Sequence, residues 1–164
     1  MLNLHSDENK KNSLLLSLIA PLIIGTSLMQ TNTVNAQSHS TPTFTVKVTN
    51  IDKDRGGNIM VMLFSQDGFP KVHSKALSIQ THKAESSELL FSFEQTLEEI
   101  AVKVLHDENE DTKVTKNWTG IWPKDGLGFT NQQKVTLTGP PNYKNSKVSK
   151  AQYQKGLFIA VVYP

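Results

Sequence analysis

The chain has no cysteine. Its fold therefore uses no disulfide even in an oxidising compartment, and thiol nucleophiles, thiolate metal ligands and lipid attachment at an N-terminal cysteine are excluded. Arginine is almost as scarce, with Arg55 the only one. Nucleic-acid binders gather Arg and Lys on one face. Here the lysines are dispersed along the chain, which excludes nucleic acid as a partner. Long apolar runs are also lacking. The longest, Leu14–Met29, is broken by Pro21 and Gly25. It falls short of the roughly 20 residues that a membrane-spanning helix needs. No segment keeps a helical apolar period for more than two turns. There is no internal repeat, no low-complexity segment and no Gly-x-Ser-x-Gly nucleophile elbow.

What is present begins with a three-part leader. Residues 1–12 are polar and carry Lys10 and Lys11, Leu14–Met29 is apolar, and Val34-Asn35-Ala36 offers small residues for cleavage before Gln37. This is the plan of a secretory signal peptide over residues 1–36. Asp7 and Glu8 are unusual in the positive region, and an uncut membrane anchor is the rival reading. Cleavage is the expectation, so membrane contact is expected only through this segment before it is removed. The expected location is extracytoplasmic, periplasmic or secreted. Residues 37–42 then read as a polar linker and residues 43–164 as a single domain, long enough to bury a core without staples. The acidic and basic residues of the leader balance, so the remainder keeps the whole chain's net charge of +2.

From Phe44 onward the signals are those of strands. Phe44, Val46 and Val48 alternate with polar residues, as in a half-buried strand. Asp52–Asn58 is a turn with Gly56-Gly57, and Ile59–Phe64 is a continuous apolar run of the central-strand kind. Together these two strands read as a hairpin. Ala76–Thr81 is a weaker strand with Leu77 and Ile79 inward. Leu89, Phe91 and Phe93 mark the next, and Ile100, Val102 and Val104 another that ends at His106. Val135 and Leu137 suggest a short strand, Lys147–Lys150 an edge strand around Val148, and Leu157–Tyr163 the last. Phe69–Ala76 has room for one helical turn. The pattern is an all-β fold, an antiparallel β-sandwich of about seven strands and of the immunoglobulin-like kind. One long ordered loop, residues 106–133, interrupts it.

That loop carries the most specific residues of the chain. His106-Asp107-Glu108-Asn109 is followed by Lys113, Asn117, Gly120-Ile121, Pro123-Lys124-Asp125-Gly126, Gly128-Phe129-x-Asn131 and Gly139-Pro140-Pro141. The chain resembles the DUF2141 family in these residues, in the second strand (Gly57, Val61, Leu63, Phe64) and in the closing strand and Tyr163. Members typically read HDENGNGKLDTN, GIPKEGYGFSNN and GPPSF. The resemblance covers about Phe44 to Tyr163. It implies a bacterial exported protein with a sandwich like transthyretin or the carboxypeptidase regulatory domain, and it implies no established activity. The sequence departs from the family at three places. Glu110-Asp111-Thr112 replaces Gly-Asn-Gly, Thr115 stands at a common Asp, and Trp122 is inserted between Ile121 and Pro123.

The spacing Asp107-x-Asn109-x-Asp111-x-Lys113-x-Thr115 is that of a calcium loop. Asp107, Asn109 and Asp111 would give side-chain oxygens, Lys113 its carbonyl, and Thr115 a hydroxyl directly or through water. Thr112 replaces the turn glycine and Trp118 the closing glutamate. Calcium affinity in the weak extracellular range, roughly 10⁻⁴–10⁻³ M, is therefore the most the pattern supports. The alternative is an acidic turn whose side chains accept hydrogen bonds from backbone amides. His106 is read as a strand-end residue bonded to a neighbouring carbonyl or carboxylate, with a proton shuttle or ligand as the alternative. His73 and His82 are too scattered for a zinc triad. Trp118 and Trp122, with Tyr143 adjoining, would form a ligand surface, or else pack inward as the loop's own core; at least one tryptophan is expected to be buried.

Three functions follow from these features. A non-catalytic binding module would use the 106–131 loop, its ligand a glycan, a peptide or another envelope protein. An envelope assembly protein would use exposed strand edges. A small hydrolase is the third, because transthyretin-like folds include one acting on an oxidised purine. That enzyme uses histidines and an arginine and ends in Tyr-Arg-Gly-Ser. Here Arg55 lies in a turn and the chain ends Val-Val-Tyr-Pro, so the carry-over fails. The binding module is the expectation, with no catalytic residue assigned and calcium the one candidate cofactor.

Overall fold

The computed structural model describes residues 42–164. The expected signal segment, residues 1–36, and nearly all of the expected linker lie outside them. Among the described residues no helix is long and apolar enough to cross a membrane.

Among the described residues eight strands form two sheets. β1 (Thr43–Thr49), β4 (Leu89–Glu94) and β8 (Leu157–Ala160) make a three-stranded sheet in the order β4-β1-β8. β2 (Asn58–Phe64), β3 (Ser78–Lys83), β5 (Glu99–Asp107) and β6 (Gly126–Phe129) make the second in the order β3-β2-β5-β6. β7 (Val148–Ser149) pairs with one end of β5. The all-β sandwich is as read from the sequence, with eight strands in place of about seven. One pairing departs from the antiparallel plan: β8 runs parallel to β1, with Val46 opposite Leu157 and Val48 opposite Ile159.

The main core lies between the sheets. Phe44, Val46, Val48, Phe91 and Phe93 meet Ile59, Val61, Leu63, Ile100, Val102 and Val104, all buried. Each set repeats every second residue, the period that places side chains on one face of a strand. α2 (Lys150–Tyr153) closes one side, and the Tyr153 hydroxyl donates to the Leu97 carbonyl at 2.6 Å.

A second core lies on the outer face of the five-stranded sheet. Met60, Met62 and Phe64 of β2, Leu105 of β5, and Leu127 and Phe129 of β6 are buried there under Phe69, Ala76, Val114 and Val135. Residues 65–77 and parts of the 106–140 stretch thus cover the sheet's other side. This explains the continuous apolar run of Ile59–Phe64, because β2 is buried on both faces.

Three strand readings are corrected. β1 and β2 are not a hairpin; they belong to different sheets, and the Asp52–Gly57 turn carries the chain between them. Gly57, at φ 72°, packs so closely on the Asp107 carbonyl that a Cβ there would collide with it. Leu77 and Ile79 do not point into the main core. Ile79 lies opposite Met62 on the outer side and is partly exposed, while His82 stacks on Phe91 at 4.4 Å. Val135 and Leu137 form no strand, since only an isolated bridge joins Thr136 and Gly139 and Leu137 is exposed. The suggested helical turn in Phe69–Ala76 is a 3-10 turn at His73–Lys75.

Candidate functional site

β5 places Ile100, Val102 and Val104 in the main core, so Ala101, Lys103 and Leu105 face the other way. Lys103 therefore stands on the outer face, between Met62 of β2 and Phe129 of β6 in the pairing register. It is only 3 % exposed. Its ammonium donates to the Pro70 carbonyl at 3.1 Å and to His73 Nε2 at 2.6 Å. The other ring nitrogen of His73, Nδ1, donates to the Thr112 carbonyl at 2.9 Å. These two partners fix the neutral tautomer, and one imidazole joins the 65–77 segment, β5 and the long loop. Burial pushes the Lys103 amine down to about 8, with the charge of Asp125 opposing. His73 is also pushed down, first by burial and then by the Lys103 charge.

Above Lys103 opens a cavity of about 790 Å³. Lys103, Leu127 and Phe129 form part of its lining from β5 and β6, and Val72 and His73 contribute from the 65–77 segment. The long loop supplies Val114, Ile121 and Pro123, and Val135 and Pro140 come from the stretch after β6. Its volume and largely apolar lining are those of a small-molecule site.

The loop is ordered by its own polar residues. Asp107 is buried, and its two carboxylate oxygens accept from the Asp111 and Thr112 amides at 3.2 and 2.7 Å. Asp111 accepts from the Lys113 amide at 2.8 Å and from Asn109 Nδ2 at 3.0 Å. Among the described residues no three His, Cys, Asp or Glu side chains gather as a metal cluster. Glu110 and Thr112 are left-handed, at φ 61° and 63°. They occupy the two positions where the family pattern has glycine.

Beyond this turn the chain makes a narrow finger. Thr115 accepts from the Lys124 amide at 2.8 Å, Asn117 donates to the Trp122 carbonyl at 2.8 Å, and Lys116 bridges Pro123. Asp125 is buried at the finger's base, where its carboxylate accepts from the Thr115 amide at 2.6 Å. Burial pushes this carboxyl up, and the Thr115 bond opposes that.

Trp118 sits at the fingertip, 96 % exposed, and Trp122 is 36 % exposed. The expectation that one of them is buried does not hold. Both are exposed among the described residues, and Val114 of the loop packs on the second core instead. Tyr143 lies on α1 (Tyr143–Ser146), its ring edge-on to Phe69 at 6.1 Å and its hydroxyl donating to the Glu99 carbonyl at 3.2 Å. None of these three aromatics lines the cavity.

His106 is fully buried, with Nε2 donating to the Gly56 carbonyl at 2.6 Å and Nδ1 accepting from the Tyr163 hydroxyl at 2.7 Å. Tyr163 in turn accepts from the Asp52 amide at 2.8 Å and carries the Arg55 guanidinium over its ring at 4.5 Å. This cluster ties the β1–β2 connection to the C-terminal end, which is the structural role read for His106.

Lys103 and His73 are the residues that sequence reading misses. Their one signal is a lysine inside the apolar run Ile100–Leu105. No curated protein and no solved structure matches the chain. A family model described as "Uncharacterized protein conserved in bacteria (DUF2141)" matches residues 46–155, from within β1 to just beyond α2 and across the whole loop. The chain belongs to the DUF2141 family.

Proposed function

We propose that the chain is an exported, non-catalytic binding module, and that its ligand sits between the long loop and the outer face of the five-stranded sheet. The observation that carries this reading is the cavity of about 790 Å³, walled on one side by Val114, Ile121 and Pro123 of that loop. A loop that served only to cap the second core would close over it at the packing density of a protein interior. The leader at residues 1–36 supports export. Support for a binding role over catalysis comes from the residues of the cavity, where among the described residues no Ser, Cys, Asp or Glu joins Lys103 and His73 in the lining.

The test uses a neutral fluorescent amphiphile, N-phenyl-1-naphthylamine, with the full chain. One equivalent should bind with enhanced emission. Val135→Trp fills the cavity from its wall and should weaken that binding at least tenfold without lowering the melting temperature. Equal binding by both proteins would remove the cavity as the ligand seat.

Weak calcium binding by Asp107, Asn109, Asp111, Lys113 and Thr115 is part of the same proposal, as a brace for the loop that walls the site. Support comes from the left-handed turn at Thr112, the position where calcium loops carry glycine. A melting scan in millimolar calcium should lie above one in chelator, and coincident scans would remove calcium from the account.

A further inference from the structure

We propose that the ligand of this cavity carries a carboxylate or similar oxyanion on an apolar body, and that the Lys103 ammonium receives the anion. The inference rests on the cavity being the binding site and adds the chemical class of what enters it.

Charge distribution is the first argument. Among the described residues the lining holds four lysines, namely Lys71, Lys103, Lys113 and Lys116, together with His73 and no acidic side chain. Lys71, Lys113 and Lys116 are exposed, while Lys103 is buried. A concave site with cations at both levels concentrates an anion's approach and orientation inward.

Coordination is the second. An ammonium has three donors and no acceptor. Lys103 uses two, on the Pro70 carbonyl and on His73 Nε2. Both acceptors are neutral, because the Thr112 carbonyl holds the proton of His73 on Nδ1. No ion pair among the described residues includes Lys103. Asp125, whose charge opposes the desolvation of Lys103 without forming an ion pair, has its carboxylate engaged by the Thr115 amide. A buried cation without a counter-charge is costly, and an anion brought in by a ligand offsets that cost.

Shape is the third. Val114, Leu127, Phe129 and Val135 line the same space, so the rest of the ligand is apolar. His73 acts as a positioning residue that holds the ammonium in place.

Calorimetry of the full chain with octanoate and with octanol separates the claims. At pH 6.5 octanoate should bind at least tenfold more tightly than octanol. That margin should shrink between pH 6.5 and 9.5, because Lys103 loses its proton near 8 while octanoate stays ionised. Of the other groups facing Lys103, His73 is pushed down and remains neutral as the pH rises, and burial pushes the Asp125 carboxyl up. The exposed rim lysines are separated from the floor by Lys103→Met, which should erase the margin at pH 6.5 and leave octanol binding intact. The pH series on the unaltered chain is a second route should that variant not fold. Equal binding of the two ligands at pH 6.5, or an undiminished margin in Lys103→Met, overturns the anion assignment and leaves the cavity reading standing. Failure of both ligands to bind overturns both.

Discussion

Lys103 is the residue on which stability and the proposed binding pull in opposite directions. Its amine titrates near 8 in the folded chain against 10.5 when free. Between these values the unfolded chain holds more protons than the folded one, so stability rises with pH across that window. Below it, the buried charge costs about 3 kcal/mol net. Lys103→Met should therefore raise stability at pH 7 by about 1–3 kcal/mol, and the gain should fade toward pH 10.5. Urea unfolding at pH 7 and at pH 10 measures this, and a variant less stable at pH 7 would speak against a costly buried charge. The alternation of β5 was legible in the sequence, and it places Lys103 opposite Ile100, Val102 and Val104. What it does not reveal is that the opposite face is covered, since residues far along the chain do the covering. His106 was legible because a strand-end histidine beside a turn nearly always has a carbonyl to bond, here that of Gly56. Thr112 shows the reverse case. A β-branched residue at φ 63° has no local reason to be there, and the two bonds at its amide and carbonyl, to Asp107 and His73, hold it.

Among the elements, β6 is the one hidden from sequence reading. Its four residues are Gly-Leu-Gly-Phe, and two glycines in four conceal any strand preference. The structure gives the reason for them. Leu127 and Phe129 fill the second core, while Gly126 and Gly128 face the C-terminal segment. A Cβ at Gly128 would meet Ile159 Cγ2 at 2.7 Å and the Ala160 carbonyl oxygen at 2.8 Å. Gly128→Ala should cost about 2–3 kcal/mol, as overpacking against backbone does. A denaturation midpoint within error of the parent would show that β8 can move away, contrary to this packing. The last strand was read as one element through Tyr163, yet it serves both sheets. It pairs with β1 to Ala160 and then bridges Leu127 through Val162. Alternation identifies which residues share a face, and so gave β1, β4 and β5 correctly. It carries no information on partners, which is why β1 and β2 read as a hairpin although a turn takes the chain from one sheet to the other.

At the scale of the whole molecule, the arrangement is a sandwich with a second, looser layer. One sheet lies between two cores, the main one shared with its partner sheet and a smaller one roofed by loops. The long loop therefore does more than decorate an end of the sandwich. Its acidic turn is pinned by Asp107, its finger is rooted at Asp125, and its apolar residues stand over β5 and β6. The sequence-level identification of a family and of one specific loop holds, and the family model spans that loop. Sequence reading put a ligand surface on Trp118, Trp122 and Tyr143, none of which lines the cavity, because large aromatics are conspicuous in a sequence and a cavity is not. The account's central claim is that ligand is held over Lys103, between the loop and the sheet. Amide chemical-shift mapping of the full chain with N-phenyl-1-naphthylamine tests it most directly. The account predicts that the largest changes fall at Lys103, Val114, Leu127 and Val135. Changes confined to the Trp118 fingertip, or to the exposed Leu90 and Phe158 on the three-stranded sheet, would contradict it.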